Sequence, residues 1–309
     1  MLSGVCVLLL FPGENLRARA GGFSRNALGT TGAQFLEIPV SARAAAMGSA
    51  QGAAVKDASA LYYNPAALAG VFGVNAVWMR AAYFRGIDYN TFAAARDIGA
   101  SGAVAAGVQQ LSAGRLDEMD NTGTPTGGAI EPSDLALSLG YGRRWRSMEL
   151  GAGVKYISSR IAARAQTYAL DFGLRYQLKQ TLFSATLSNL GKGLKFREKR
   201  DDLPATLRIG AQMSFLPVSI ALDIISPRGT APVLAAGGEY EMHISPNFSW
   251  MGRAGYNTRT TSSRLGGLPG MSVGAGIAAN SMTLDYAWSP YGALGDAHFI
   301  SVGFLWRSL

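Results

Sequence analysis

Few residues in this chain could do chemistry, and they are spread along alternating segments. His243 and His298 are the only histidines and Cys6 the only cysteine, too few for a His-rich or Cys-based metal site or for a disulfide. His298 and Ser301 stand three apart on an alternating stretch. They therefore fall on opposite faces and cannot exchange a proton. The Gly-x-Gly pairs at 151–153, 191–193 and 274–276 have no helix after them, so a phosphate loop is excluded. No catalytic residue, metal or cofactor is expected. What remains is charge. Lys155, Arg175, Arg208 and Arg253, with Asp171, Asp223, Glu239 and Asp285, share the parity of the glycines and alanines on their segments. Four bases balance four acids. Enclosed charges must pair or touch water, because an unpaired one is very costly. Two readings stay open: a structural lattice tying a wall to whatever fills it, or a polar path or partner site.

The segments carrying these charges read as β-strands of a membrane barrel. Leu135, Leu137, Leu139, Tyr141 and Trp145 alternate with Asp134, Ala136, Ser138, Gly140 and Gly142. Tyr168, Leu170, Phe172, Leu174 and Tyr176 oppose Ala169, Asp171, Gly173 and Arg175. The same pattern runs through 205–215 and 282–288. One face is apolar and aromatic; the other is small or polar. Such stretches of about 9–11 residues suit strands that cross a bilayer. A soluble sheet with one wet face would carry more Lys and Glu and less Gly. Strands are placed at 73–83, 87–97, 101–111, 132–145, 149–160, 165–178, 181–190, 204–216, 218–226, 231–243, 247–257, 270–279, 281–289 and 297–307. They make an antiparallel barrel of about fourteen strands. The connections alternate between polar links, such as 111–131, 191–203, 258–269 and 289–297, and tight turns, such as 97–99, 179–180, 216–217 and 280–281. That is the outer-membrane pattern of long external loops and short periplasmic turns.

Composition agrees. Charged residues are 16% of the 309-residue chain, and there are 39 Gly; both depart from soluble averages in the direction a lipid-facing barrel requires. The net charge is +8, but the bases are scattered along the chain, so no nucleic-acid footprint is read. Val5–Phe11 is a short apolar core followed by Ala18-Arg19-Ala20, the layout of a cleaved signal peptide. The expected organisation is a signal peptide at 1–20, a plug segment at 21–71 and a transmembrane barrel at 72–309, in the outer membrane and in contact with its lipid.

The stretch from Phe35 to Ala69 lacks alternation and is rich in Ala. It is expected to fill the barrel as a partly helical plug. Asn64-Pro65 starts a turn whose first helical position is Pro65. Asp57 and Ser59 can each cap a short helix. Met47 with Gly48 allows close backbone approach to the wall. Arg43 and Lys56 are candidates to pair with inward acids such as Asp171 or Asp285, and Asp57 is offered to the same lattice.

Residues 30–69 resemble the N-terminal signature of the PorV/PorQ family, within the FadL-like barrel class. The resemblance rests on Phe35-Leu36, Ala42-Arg43-Ala44, Ala46-Met47-Gly48, Asp57-Ala58-Ser59-Ala60 and Asn64-Pro65-Ala66. It continues in Leu187-Ser188-Asn189-Leu190-Gly191, Leu207-Arg208-Ile209-Gly210, Gly238-Glu239-Tyr240, Arg253-Ala254-Gly255-Tyr256 and Asp285-Tyr286-Ala287. Ser41 stands where the family usually has Gly, and the last residue is not aromatic. The resemblance implies a fourteen-stranded barrel with its N-terminal segment inside. It also implies a protein-interaction role in type IX-like secretion or surface attachment, with secreted proteins or other secretion components as partners. The alternative that it leaves open is a FadL-like transporter of hydrophobic small molecules.

Overall fold

The computed structural model describes residues 31–83, 86–120, 122, 124–161, 163–196, 199–260 and 270–306. The leader read at 1–20 and most of the 258–269 loop lie outside these. The strands are β1 (Val74–Ala82), β2 (Asp88–Asp97), β3 (Ala103–Ser112), β4 (Leu116–Met119), β5 (Pro125–Ile130) and β6 (Ser133–Trp145). There follow β7 (Met148–Arg160), β8 (Arg164–Leu178), β9 (Thr181–Gly191), β10 (Leu194–Phe196), β11 (Lys199–Asp201) and β12 (Thr206–Phe215). The series ends with β13 (Val218–Pro227), β14 (Val233–Ser245), β15 (Phe248–Asn257), β16 (Met271–Ala279), β17 (Met282–Pro290) and β18 (Asp296–Trp306). Fourteen of them form one closed antiparallel barrel in the order β1-β18-β17-β16-β15-β14-β13-β12-β9-β8-β7-β6-β3-β2. Closure leaves no edge, so every wall strand has a neighbour on both sides for its backbone groups. A spanning structure in lipid needs that.

Each of the fourteen expected strands has its counterpart, with ends shifted by no more than a few residues. The differences lie in the links. Two of the connections read as loops contain strands of their own: β4 pairs with β5, and β10 with β11, as separate two-stranded ribbons. Their periodicity is too short to stand out between the long wall strands.

The outward stripes are those the alternation predicts. Leu139, Tyr168, Leu170, Phe172, Ile209, Leu284 and Phe304 are all exposed. In water this apolar surface would be an aggregation liability; facing lipid it is required. The inward parity is small and polar: Ala136, Ser138, Thr186, Ser272, Ala287 and Ser301 are buried.

Long links and tight turns gather at opposite ends. The chain enters at the long-link end, where Thr31 bridges Asp202, Gly32 N donates to Asp202 O (2.9 Å) and Glu37 pairs with Arg259 (3.2 Å). It leaves at the tight-turn end, where Asp97 N donates to Gly73 O (2.9 Å). Residues between about 40 and 71 cross the interior. They form α1 (Ala42–Ala46), α2 (Ala60–Tyr63) and a 3-10 turn at Pro65–Gly70. Ser41, the residue that departs from the family pattern, caps α1 by accepting from Ala44 N (3.2 Å). Asn64 caps the 3-10 turn through Ala66 N (3.1 Å), with Pro65 at its start. α1 packs on β15–β18 and the 3-10 turn on β3 and β6–β8.

A charge on an outward stripe should be costly. Leu139→Arg, near the middle of β6, should lose about 2–4 kcal/mol of folding stability in lipid vesicles, read by urea titration of tryptophan fluorescence. Leu139→Val should change it by less than about 1.5 kcal/mol.

Candidate functional site

The interior segment meets the wall backbone to backbone. Gly48 sits at φ +61, and a Cβ there would lie 2.6 Å from Tyr256 O and 2.9 Å from Ala236 O. On the wall side, a Cβ at Gly237 would lie 2.5 Å from Met47 O, and one at Gly142 would lie 2.6 Å from Pro65 O. Gly151 and Gly173 leave room in the same way for Pro65 and Asn64. Contact this close excludes side chains, which is why the inward parity is so rich in Gly.

Many backbone groups of the segment pair within it through short turns, and the wall supplies further partners. Ala42 N donates to Ser301 Oγ (2.6 Å) and Gly48 N to Ser272 Oγ (3.2 Å). Asn257 Nδ2 donates to Gly48 O (2.7 Å), and Ala58 N donates to Asn75 Oδ1 (2.7 Å). Asp223 Oδ2 accepts from Gln51 N (2.9 Å), Gly52 N (2.8 Å) and Arg208 Nη1 (2.7 Å). Arg208 Nη1 also donates to Ser49 O (2.7 Å) and its guanidinium lies 5.7 Å from the Tyr63 ring centre.

All eight wall charges named from parity face inward, and they fall into separate groups. Lys155 pairs with Asp171 (2.7 Å), and both hold Asn189: Lys155 Nζ donates to Asn189 Oδ1 (2.8 Å) and Asn189 N donates to Asp171 Oδ1 (2.7 Å). Asn189 has φ +59 and stands at the one register shift between β8 and β9. Asp171 thus caps a β-bulge in the wall. Arg253 bridges Glu239 (2.6 Å) and Asp285 (2.6 Å). Arg43 reaches from α1 into that group with two parallel bonds to Glu239, Nε to Oε2 at 2.8 Å and Nη2 to Oε1 at 3.1 Å. This is the fork geometry that favours arginine. It also donates to Gln51 Oε1 (2.9 Å) and Ala54 O (3.1 Å), pinning its own segment.

Arg43 and Lys56 do reach an inward acid, and it is Glu239 rather than Asp171 or Asp285, because α1 lies on the β15–β18 side and Arg253 already occupies Asp285. Lys56 is mostly exposed and reaches Glu239 (3.6 Å) and Glu241 (3.9 Å) at the rim of the group. Asp57 turns back on its own chain and accepts from Ser59 N (2.9 Å). One acid escapes the sequence reading: Glu149, which pairs with Arg175 (2.7 Å) and Arg144 (2.8 Å). Its parity with Gly151, Gly153 and Lys155 is the signal that could have found it. Arg175 also donates to Val55 O (2.9 Å). Adding Glu149 to the four acids and Arg43 to the four bases, the interior charges still balance.

His298 and Ser301 do lie on opposite faces. His298 Nδ1 meets Tyr286 OH (2.8 Å) on the outside, and Ser301 binds α1 inside.

Above the segment, at the long-link end, lies a cavity of about 230 Å³. Its apolar lining includes Ile38, Pro39, Tyr83, Ile225, Met271 and Tyr291. The Tyr83 ring lies 5.9 Å from Tyr291 and meets Phe299 edge-on at 5.6 Å. The charges at this cavity are committed: Arg208 to Asp223, and Arg259 to Glu37. A smaller space of about 40 Å³ adjoins it, sharing Glu37, Ile38, Arg208, Ile225 and Arg259, and reaches the bulge at Ser188 and Asn189. Nothing in the sequence points to this cavity, since its walls come from links and strand ends far apart in the chain.

No family profile and no curated protein matches the chain. Among solved structures, it is similar to the CymD monoaromatic hydrocarbon channel, with 12% identity over 87% of this chain and 98% of that one and a TM-score of 0.60. It is likewise similar to the Ralstonia pickettii toluene transporter TbuX (14%, 86% and 98%, TM-score 0.58) and to a Pseudomonas aeruginosa FadL homologue (11%, 86% and 98%, TM-score 0.56). At these identities the likeness is one of fold. The closed fourteen-stranded barrel implied by the resemblance is the fold observed.

Removing the shared carboxylate should loosen the interior. Glu239→Ala leaves Arg43 without its partner and Arg253 with Asp285 alone, and should cost about 3–5 kcal/mol. Denaturant titration of the purified barrel in detergent reads the loss. Exposed Glu118→Ala in the β4–β5 ribbon should leave stability within about 0.5 kcal/mol.

Proposed function

We propose that the protein is an outer-membrane transporter of small hydrophobic molecules, with residues 21–71 serving as the plug of a barrel at 72–309. The cavity at the long-link end carries this reading. It is concave, largely apolar, closed below by the interior segment, and sized for a ring or a short chain. The fold is shared with solved structures described as a monoaromatic hydrocarbon channel and toluene transporters. The paired charges around the cavity hold the segment and leave the greasy wall to meet the ligand.

A test uses host cells lacking their own carrier and radiolabelled toluene as the probe. Expression of the wild-type chain should raise the initial uptake rate several-fold. Ser289→Trp, which places an indole in the cavity, should return it to the vector level while the purified variant keeps the wild-type unfolding midpoint. Equal uptake by vector, wild type and variant would overturn the reading.

A second reading, a protein-interaction component of secretion similar to PorV or PorQ, is favoured by one observation. The β4–β5 ribbon stands free of the barrel sheet with Leu116 and Met119 exposed. It would offer an edge to a secreted protein. It rests otherwise on the resemblance in residues 30–69, and the comparisons lend it no support. Photo-crosslinking from position 119 in intact cells should trap a secreted protein if this reading is right, and only lipid or nothing if it is wrong.

A further inference from the structure

The sequence scatters its bases; the fold gathers five of them on one sector of the long-link rim. Arg160 and Arg164 end β7 and β8 and stand directly opposite each other. Lys195 and Arg200 stand opposite each other in the β10–β11 ribbon. Lys192 joins the two, its carbonyl accepting from Thr167 Oγ1 of β8 (2.6 Å), and β10 packs against β8. All five side chains are exposed. Elsewhere on this rim several exposed bases have acids: Arg80 with Asp88 (2.9 Å), Arg228 with Asp202 (3.1 Å) and Arg259 with Glu37 (3.2 Å). Among the described residues, none of the five has an ion-pair partner.

Like charges directly opposite one another destabilise a strand pair. Two such pairs side by side are costly unless an anion lies between them. Position says which anion. Arg164 continues the outward stripe of β8, which reads Phe172, Leu170, Tyr168, Gln166, Arg164 from lipid towards the rim. Phe172 and Leu170 are exposed as lipid-facing residues are, and Tyr168 is the most exposed of the three. Its neighbour across the strand pair is Tyr156, with ring centres 5.4 Å apart. Tyrosines of this kind mark the membrane interface. The arginines stand four residues beyond them, roughly 13 Å further along the strand. That is headgroup level, on the lipid side of the wall and away from the cavity.

We propose that this sector of the rim binds the phosphate groups of an anionic glycolipid in the surrounding outer leaflet. Guanidinium and ammonium groups from two neighbouring hairpins match a headgroup with more than one phosphate. The inference rests on the long links facing outwards and is independent of what the barrel transports.

The test uses the full chain in neutral detergent. Native mass spectrometry would measure its binding of bis-phosphorylated lipid A, of the same lipid with both phosphates removed, and of glucose 1-phosphate. The wild-type chain should retain lipid A and unfold at a higher temperature with it. Arg160→Gln with Arg164→Gln, and separately Lys195→Gln with Arg200→Gln, should each weaken retention by about tenfold or more. Without lipid, both double variants should unfold at or above the wild-type temperature, since each loses a like-charge pair. Unchanged retention by both variants would overturn the proposal, as would equal binding of the dephosphorylated lipid. Equal binding of glucose 1-phosphate would show a site for free phosphate and overturn the lipid assignment.

Discussion

The inner face of this barrel is short of side chains, and the rest of the interior follows from that. Glycines at 142, 151, 173, 237 and 255 let the backbone of the crossing segment touch the backbone of the wall. Packing at that distance excludes water from those contacts. Each amide and carbonyl of the segment there then needs a partner from within the protein. The segment's own turns supply many of these partners, and the sparse polar residues of the inward parity supply others. Asp223 does so most densely: one carboxylate oxygen takes two adjacent backbone amides and a guanidinium at once. Most of the inward charges thereby hold the crossing segment, while Lys155 and Asp171 hold the wall bulge at Asn189.

The segment is held from two sides. Its first half lies on β14–β18 through Ser301, Ser272 and the Arg43–Glu239 fork. Its second half lies on β6–β8 through the Pro65–Gly70 turn and Arg175. Between the halves, Asp223 and Arg208 fix the bend at residues 49–52. The cavity lies between the stretch at 34–39 and the strand ends at 225, 257 and 289–291. This cavity of about 230 Å³ therefore lies at the long-link end of the barrel.

Most of the wall is legible in the sequence, because strand parity is set locally. Lipid on one side and a crowded lumen on the other impose opposite demands on alternate residues. Lys155, Asp171, Arg208 and Glu239 can be placed inward on that ground alone. Which charge meets which cannot, since pairing depends on the side of the barrel against which α1 packs. That Arg43 meets an inward acid is legible, but which of them it meets is not, for this reason. Glu149 escapes notice although its parity is plain, as it stands at the very start of its strand. The ribbons at 116–130 and 194–201 are hidden by their shortness, and the cavity because its walls come from stretches distant in sequence. Ser41 stands out in the sequence only as a departure from a family pattern, yet it is the cap of α1.

If the wall holds the interior segment in this way, the segment's amides are as sheltered as those of the strands. Hydrogen exchange, resolved residue by residue by NMR on the barrel in detergent micelles, tests this most directly at Ala42, Gly48, Gln51 and Gly52. These amides donate to Ser301, Ser272 and Asp223. They should exchange as slowly as mid-strand amides such as those of Ala136 and Ile157. Exchange at the rate of an open loop, with the strands still protected, would contradict a wall-held segment and show that the interior chain is only loosely seated in the barrel.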